Sequence, residues 1–206
     1  MIIPSFVDSI KTNSFMHCIN LTEVIIPSSV TVIDDESFIG CTALQHINIP
    51  PSVKLIGNFA FFACTSLKKI SLPTSLEFIG EGSFQKCYCL TKFIIPSSLT
   101  MINNGLFADC TNLNEIIIPT SIISIGKGAF TNCKSLNEIK IPTSVKSIDM
   151  FAFKNCINLK EILIPSSVNE IDIYAFNKCS SLTKAEIHSN LTELKSKFFS
   201  ECSSLN

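Results

Sequence analysis

Nine cysteines of this chain stand 23 residues apart, at Cys18, Cys41, Cys64, Cys87, Cys110, Cys133, Cys156, Cys179 and Cys202. Phenylalanine keeps the same step from Phe15 through Phe38, Phe61, Phe84, Phe107, Phe130, Phe153 and Phe176 to Phe199. Leucine keeps it from Leu21 to Leu205, and proline from Pro4 to Pro165, with His188 in the next proline place. Four columns in one register exclude coincidence, and the unit reads LxxIxIPxSVxxIGxxAFxxCxx. A unit this short cannot bury its own apolar side chains. Stacked on copies of itself it builds one continuous core, so the period demands a solenoid.

Within one unit, Leu136-Asn137-Glu138-Ile139-Lys140-Ile141-Pro142 alternates apolar and charged residues. That is the signature of a strand with Ile139 and Ile141 inward and Glu138 and Lys140 outward. Pro142 lacks an N–H and ends the strand. Ser144 is expected to bond local backbone groups in the turn. Val145 and Ile148 point inward again on a second short extended segment. The next column holds Asp34, Gly57, Gly80, Asn103, Gly126, Asp149 and Asp172, residue types that tolerate positive φ, so it predicts a left-handed residue there. Ala152, Phe153 and Cys156 are expected to form a helical turn leading back to the next strand.

Stacked copies of one cysteine column sit about one strand spacing, ~4.8 Å, apart. Ligands in a line do not make a tetrahedral metal site, and a catalytic thiol needs one basic, exposed environment. Side chains stacked in parallel rarely reach disulfide geometry. The column therefore reads as buried, reduced packing thiols. Cys89 is out of register, in a polar turn column with Asn20, Ser66 and Asn112, and is expected to be the most exposed thiol, followed by Cys202 near the chain end.

Chemistry-bearing motifs are otherwise sparse. The chain has 16 Lys, no Arg and 17 acidic residues, for a net charge of -1, which lacks the basic excess of a duplex nucleic-acid binder. His17 falls in a solvent column, His46 on an outward strand position, and His188 in a turn. Gly80-Glu81-Gly82-Ser83 and Gly126-Lys127-Gly128-Ala129 look like phosphate-loop fragments but lie at the repeat's own turn. No GxSxG, HExxH or P-loop is present, so no catalytic residue, metal ligand or cofactor site is assigned and an enzyme is not expected. No run reaches the ~18 to 20 apolar residues of a membrane-spanning helix. Asn20-Leu21-Thr22 and Asn190-Leu191-Thr192 are glycosylation sequons.

These columns resemble leucine-rich repeats, and most closely the BspA-like surface-antigen subclass with its unit LxxIxIPxSVxxIGxxAFxxCxS. The resemblance runs from Ile2 to Leu205. It implies a leucine-rich-repeat horseshoe: a curved right-handed coil with a parallel β-sheet on its concave face and short strands and helical turns on the other sides. Residues 1–206 are expected to form a single domain of about nine coils. Ala185, His188, Asn190, Lys195 and Phe198 depart from the unit. With no clear caps, the chain is expected to be a fragment of a longer protein, and its open terminal strands to allow end-to-end self-association.

The family further implies a non-enzymatic protein-interaction module, engaged in cell-surface adhesion or recognition of host matrix proteins. An intracellular scaffold is the alternative, favoured by the free thiols and the lack of a signal peptide. Cell surface or secretion by resemblance, and cytoplasm by these features, both stay open. The partner is expected to be a protein, with no nucleic acid and no membrane insertion.

Two outward strand columns scramble while the inward columns barely change, as expected of a shared scaffold with an individual binding face. The candidate ligand-binding residues are Glu23, Ile25, His46, Asn48, Lys69, Ser71, Lys92, Ile94, Glu115, Ile117, Glu138, Lys140, Glu161 and Leu163. Ile94 and Ile117 are adjacent outward β-branched residues, flanked by Lys92 and Glu115. The competing reading is a plain solvated sheet face.

The repeat makes the stack one-dimensional, each coil touching its neighbours. Deleting residues 113–135, one whole unit, is expected to leave a shorter solenoid that still unfolds cooperatively. Deleting half of that unit is expected to abolish cooperative thermal unfolding. Equal damage from the two deletions contradicts the repeat register.

Overall fold

The computed structural model of the chain describes residues 1–188, 191 and 195–206. Numbered from the outward strand position of each repeat, the coils begin at residues 23, 46, 69, 92, 115, 138, 161 and 184, after a partial coil. Each begins on a front strand: Glu23–Ile25, His46–Asn48, Lys69–Ser71, Lys92–Ile94, Glu115–Ile117, Glu161–Ile164 and Lys184–Ile187. Residues 138–140 hold the same place in the sixth coil without strand pairing. Paired front strands are parallel, and the register moves by one repeat, Glu23 to His46 to Lys69. Two-residue strands such as Val32–Ile33 and Ser124–Ile125 form a second parallel set on the adjoining side.

The interior is a set of ladders. Phe38, Phe61, Phe84, Phe107, Phe130, Phe153 and Phe176 are fully buried, and successive rings stack with centroids 4.8 to 6.0 Å apart from Phe15 to Phe176. Each aromatic pair adds about 0.5–1.5 kcal/mol beyond the area it buries. The cysteine column runs beside it, all thiols free. Each thiol from Cys41 to Cys202 also donates to the carbonyl of the phenylalanine 26 residues earlier, in the preceding coil: Cys64 to Phe38 at 3.2 Å, Cys133 to Phe107 at 3.2 Å, Cys156 to Phe130 at 3.2 Å. The ladder thiol is thus a small hydrophobe with one donor, stitching each coil to the one before it. Cys202 belongs to this buried ladder, whereas Cys18 and Cys89 are the two half-buried thiols.

Three local expectations are corrected. None of Asp34, Gly57, Gly80, Asn103, Gly126, Asp149 and Asp172 has positive φ. A Cβ on Gly57 would lie 2.4 Å from the Asp35 backbone nitrogen, so this glycine reflects close approach of the chain. The left-handed residues lie in two later columns, one through Phe59, Gly82, Gly105 and Phe151, the other through His17, Gly40, Ala63 and Asn132. Two left-handed residues per coil cannot belong to a helix, and no α-helix occurs among the described residues. The return segment is instead a run of tight turns, with Cys156 N–H donating to Phe153 O at 3.3 Å and Leu159 N–H to Cys156 O at 3.1 Å. Ser144 serves a neighbour rather than its own turn, donating to Ile122 O of the preceding coil at 2.6 Å.

The stack has one step where both sheets are interrupted. Lys69–Ser71 does not pair with Lys92–Ile94, and Phe78–Ile79 does not pair with Met101–Ile102. The fourth coil carries two oversized inward residues there. Phe93 replaces the isoleucine of Ile47, Ile70, Ile116, Ile139 and Ile162, and Leu106 replaces the alanine of Ala60, Ala129, Ala152 and Ala175. The Phe93 ring lies 5.0 Å from Phe84 and 4.6 Å from Phe107, whose mutual distance of 6.0 Å is the widest in the ring ladder. Overpacking here displaces backbone because a close-packed interior has little slack. At this step the Asn103 side-chain amide donates to Ile79 O at 2.5 Å. Elsewhere the main chain makes that bond, as from Gly80 N–H to Ile56 O at 2.8 Å.

Native protein is expected to react with a thiol reagent at Cys18 and Cys89 and to leave the ladder unlabelled until it unfolds. Rapid labelling of Cys110 or Cys133 contradicts the buried ladder. Cys133→Ala is expected to cost about 1–3 kcal/mol in denaturant unfolding, through a small cavity and loss of the second donor to the Phe107 carbonyl, which keeps its bond from Cys110 N–H at 3.0 Å.

The ladder also sets an alkaline limit. Burial pushes the Cys41 thiol up to about 11 and Cys156 up to about 12, and holds Cys87 and Cys133 well above the ordinary thiol value of 9.0. In the unfolded chain these thiols ionise near that ordinary value, so above it the folded state holds more protons. Their contribution is complete below pH ~8 and is lost as pH rises, by about 1.4 kcal/mol per pH unit for each thiol ionised in the unfolded state alone. Thermal unfolding at pH 8, 9, 10 and 11 is expected to show a steep fall in Tm above pH 9; a flat profile contradicts it.

Candidate functional site

All fourteen outward strand residues singled out from the sequence are exposed, and they share one face. The apolar members are wide open: Ile94 is 57% exposed, Ile25 51%, and Ile117 and Leu163 46% each. Their placement follows from strand alternation, since Val24, Ile47, Phe93 and Ile162 between them point into the core. Ile94 and Ile117 are direct partners in the Lys92–Ile94 and Glu115–Ile117 pair.

The charges on this face are partly spent on each other. Lys92 Nζ lies 2.5 Å from Glu115 Oε1, so the two charges flanking the isoleucine pair form one bridge across it. Further along, Lys184 pairs with Glu186 at 2.5 Å, and His188 approaches Glu186 at 3.5 Å. Lys184 holds the Glu186 carboxyl below the usual carboxylate range, and Glu186 raises Lys184 above the usual ammonium value. Lys69 makes no ion pair among the described residues.

The face is indented. Hollows of about 400, 570, 290 and 530 Å³ follow one another along it. The first opens over Glu23, His46 and Asn48. The second lies at the interrupted step, over Ile70, Leu72, Ile94 and Ile117. The others flank the unpaired residues 138–140, over Glu115 and Lys140 and then over Glu138, Glu161 and Leu163.

Other sequence-marked residues lie elsewhere. His46 is exposed on the front face. His17 is exposed with φ 55°, but the remainder of its column is mostly half-buried. There Asn155 donates to Asn132 at 2.7 Å and Asn132 to Asp109 at 2.6 Å, a polar ladder rather than a plain solvent stripe. Ser83 of the glycine-rich fragment is fully buried, its hydroxyl shared between Gly57 O at 2.8 Å and Gly80 O at 2.7 Å, so it serves the turn. A second polar ladder escaped sequence reasoning: Asp35 accepts from Asn58 N–H at 2.6 Å, Asn58 from Glu81 N–H at 2.9 Å, and Asn104 from Lys127 N–H at 2.9 Å. Its signal was a polar column at the repeat period. Asn20 of the first sequon is exposed, while Asn190 and Thr192 of the second lie outside the described residues. Among the described residues no three His, Cys, Asp or Glu side chains cluster as a metal site, and no helix is long and apolar enough to cross a membrane.

A family model described as BspA type Leucine rich repeat region, in 6 copies, matches residues 1–114 and 100–206. Among solved structures, a leucine-rich repeat protein from Bacteroides ovatus is 32% identical with a TM-score of 0.85. That likeness covers 100% of this chain and 61% of the B. ovatus protein, so the chain spans less than two thirds of its length. The T. pallidum leucine rich repeat protein is 31% identical with a TM-score of 0.71, over 78% of each chain. A leucine rich cell surface protein from Faecalibacterium prausnitzii shares the fold at 24% identity and a TM-score of 0.59, over 99% of this chain and 73% of its own. No curated protein matches the chain.

Proposed function

Because this chain belongs to the BspA-type leucine-rich-repeat family, whose repeats typically serve protein interaction, we propose that it is a protein-recognition module acting through its front strand face, in cell-surface adhesion or recognition of host matrix proteins. The observation that carries this reading is the run of hollows along a face whose outward residues change between repeats while the inward ones barely do. Ile94 and Ile117 add an adjacent exposed apolar pair to the hollow at the interrupted step. Without Arg or Trp, the residues that most often anchor tight interfaces, single-site affinity is expected near micromolar, and firm attachment to depend on multivalent display.

Purified extracellular-matrix proteins, immobilised as a panel, test this reading. The chain is expected to bind at least one of them. Ile94→Asp with Ile117→Asp is expected to abolish that binding with Tm nearly unchanged, since both side chains already face solvent. Lys69→Glu is expected to slow association and change its salt dependence. Lys127→Asp, exposed on the turn-bearing side, is the control. Loss of binding in the control but not in the isoleucine pair moves the site off the front face.

A further inference from the structure

The interrupted step between the third and fourth coils is not merely a flaw in the stack; we propose that it is a peptide-docking cleft, taking an extended segment of a partner protein that bears a bulky apolar side chain beside a carboxylate. This deepens the front-face reading and rests on it. The cleft, about 570 Å³, falls within the size of pockets that enclose small ligands or a few side chains. Its floor and walls include Ile70, Leu72, Ile94 and Ile117, an apolar set that water solvates poorly.

Charge and backbone fix the occupant's chemistry. Lys92 is neutralised by Glu115, whereas Lys69, on the opposite lip, has no carboxylate among the described residues. A partner carboxylate beside the apolar anchor meets that ammonium, and a partner lysine there is repelled. The seam also leaves main-chain groups without ladder partners. Ile95 N–H donates to Ile117 O at 3.1 Å in the next step, and Ile49 N–H to Ser71 O at 3.2 Å in the previous one, but no such bond joins Leu72 to Ile94. The flanking strands still lie within 8 Å of each other, too close for a third strand between them, so a peptide along the cleft lies on the face and meets these groups from above.

The cause of the cleft supplies its test. Phe93 lies between the Phe84 and Phe107 rings of the two coils, Leu106 is the second oversized inward residue of the fourth coil, and the neighbouring coils show what stands at these places where the strands pair: isoleucine and alanine. Phe93→Ile with Leu106→Ala is therefore a return to the repeat, expected to fold, to hold Tm at or above the parent value, and to protect the Leu72 amide from hydrogen exchange. A displayed library of random twelve-residue peptides is the probe, selected on the parent chain, with the enriched peptides then synthesised and measured. The expected enrichment is a bulky apolar residue next to Asp or Glu. The expected affinity loss is tenfold or more in Phe93→Ile/Leu106→Ala and in Ile94→Asp, and severalfold in Lys69→Glu. Ile25→Asp and Leu163→Asp, far along the same face, are expected to change nothing.

Peptides that bind the Phe93→Ile/Leu106→Ala chain as tightly as the parent overturn the cleft, as does enrichment without the acidic preference or no enrichment at all. If the selected peptides instead lose binding with Ile25→Asp or Leu163→Asp, the cleft is wrong while the front face stands. If only Lys127→Asp removes binding, both readings fall.

Discussion

Everything in this fold depends on contact between a residue and its own copy one coil away. The phenylalanine column shows why the step is fixed. Rings stacked nearly parallel about 5 Å apart match the spacing of paired strands, so the aromatic ladder and the hydrogen-bond ladders share one repeat distance. The thiol ladder adds direction. Each Sγ reaches back to a phenylalanine carbonyl of the preceding coil, filling the small space beside the ring and adding a second donor to a buried acceptor already bonded by the cysteine N–H of its own turn. Alanine there supplies no donor, and a larger side chain has no room. Cysteine meets both demands without a disulfide, a metal or a reactive thiolate.

That economy has a cost in backbone strain. Left-handed φ recurs at Phe59, Phe151 and Tyr174, where bulky residues disfavour it, and roughly 1–2 kcal/mol is lost at each such position. The stack offsets it with bonds made across coils by those same residues and their neighbours: Phe59 N–H to Glu81 O at 2.8 Å, Asn132 N–H to Lys154 O at 2.9 Å. Side chains help where glycine is absent. Phe151 and Tyr174 stack at 5.4 Å, and Lys154 lies 4.8 Å from the Phe151 ring centroid. A single coil has neither the partner carbonyls nor the partner rings, so the strained turns exist because the repeat continues.

Much of this was legible in the amino-acid order. The inward columns, the outward columns and the buried thiols follow from a 23-residue period with strand alternation, and Ile94 and Ile117 stand exposed where alternation puts them. What was not legible depends on through-space fit. Gly57 and Gly80 look like left-handed glycines, but the neighbouring coil's backbone, within 2.4 Å of a Cβ there, explains them instead. Ser83 reads as a surface loop residue until its hydroxyl is placed between two buried carbonyls. Phe93 and Leu106 read as ordinary hydrophobic substitutions. Their effect appears only when each ring and methyl group must share space with two coils.

The seam connects these observations to recognition. A solenoid presents a nearly uniform surface when its inward residues are uniform, because identical coils pair identically. Selectivity can then come from outward residues alone, as with Ile94 and Lys69. Varying an inward residue acts differently: it changes the distance between coils, and so the depth of the face above it. Phe93 sits under Lys92 and Ile94, and an apolar hollow of about 570 Å³ lies directly over the step that it widens. The same logic distinguishes residues 138–140, where hollows form beside an inward Ile139 of ordinary size. There the lining is mainly charged, with Glu138, Glu161 and Lys184 around a polar opening. Beside the hollow over the paired first strands, the face therefore carries an apolar recess at the overpacked step and charge-lined ones beside the unpaired residues. Because these lie in different coils, a partner segment reading both must run across the strands, along the axis of the stack.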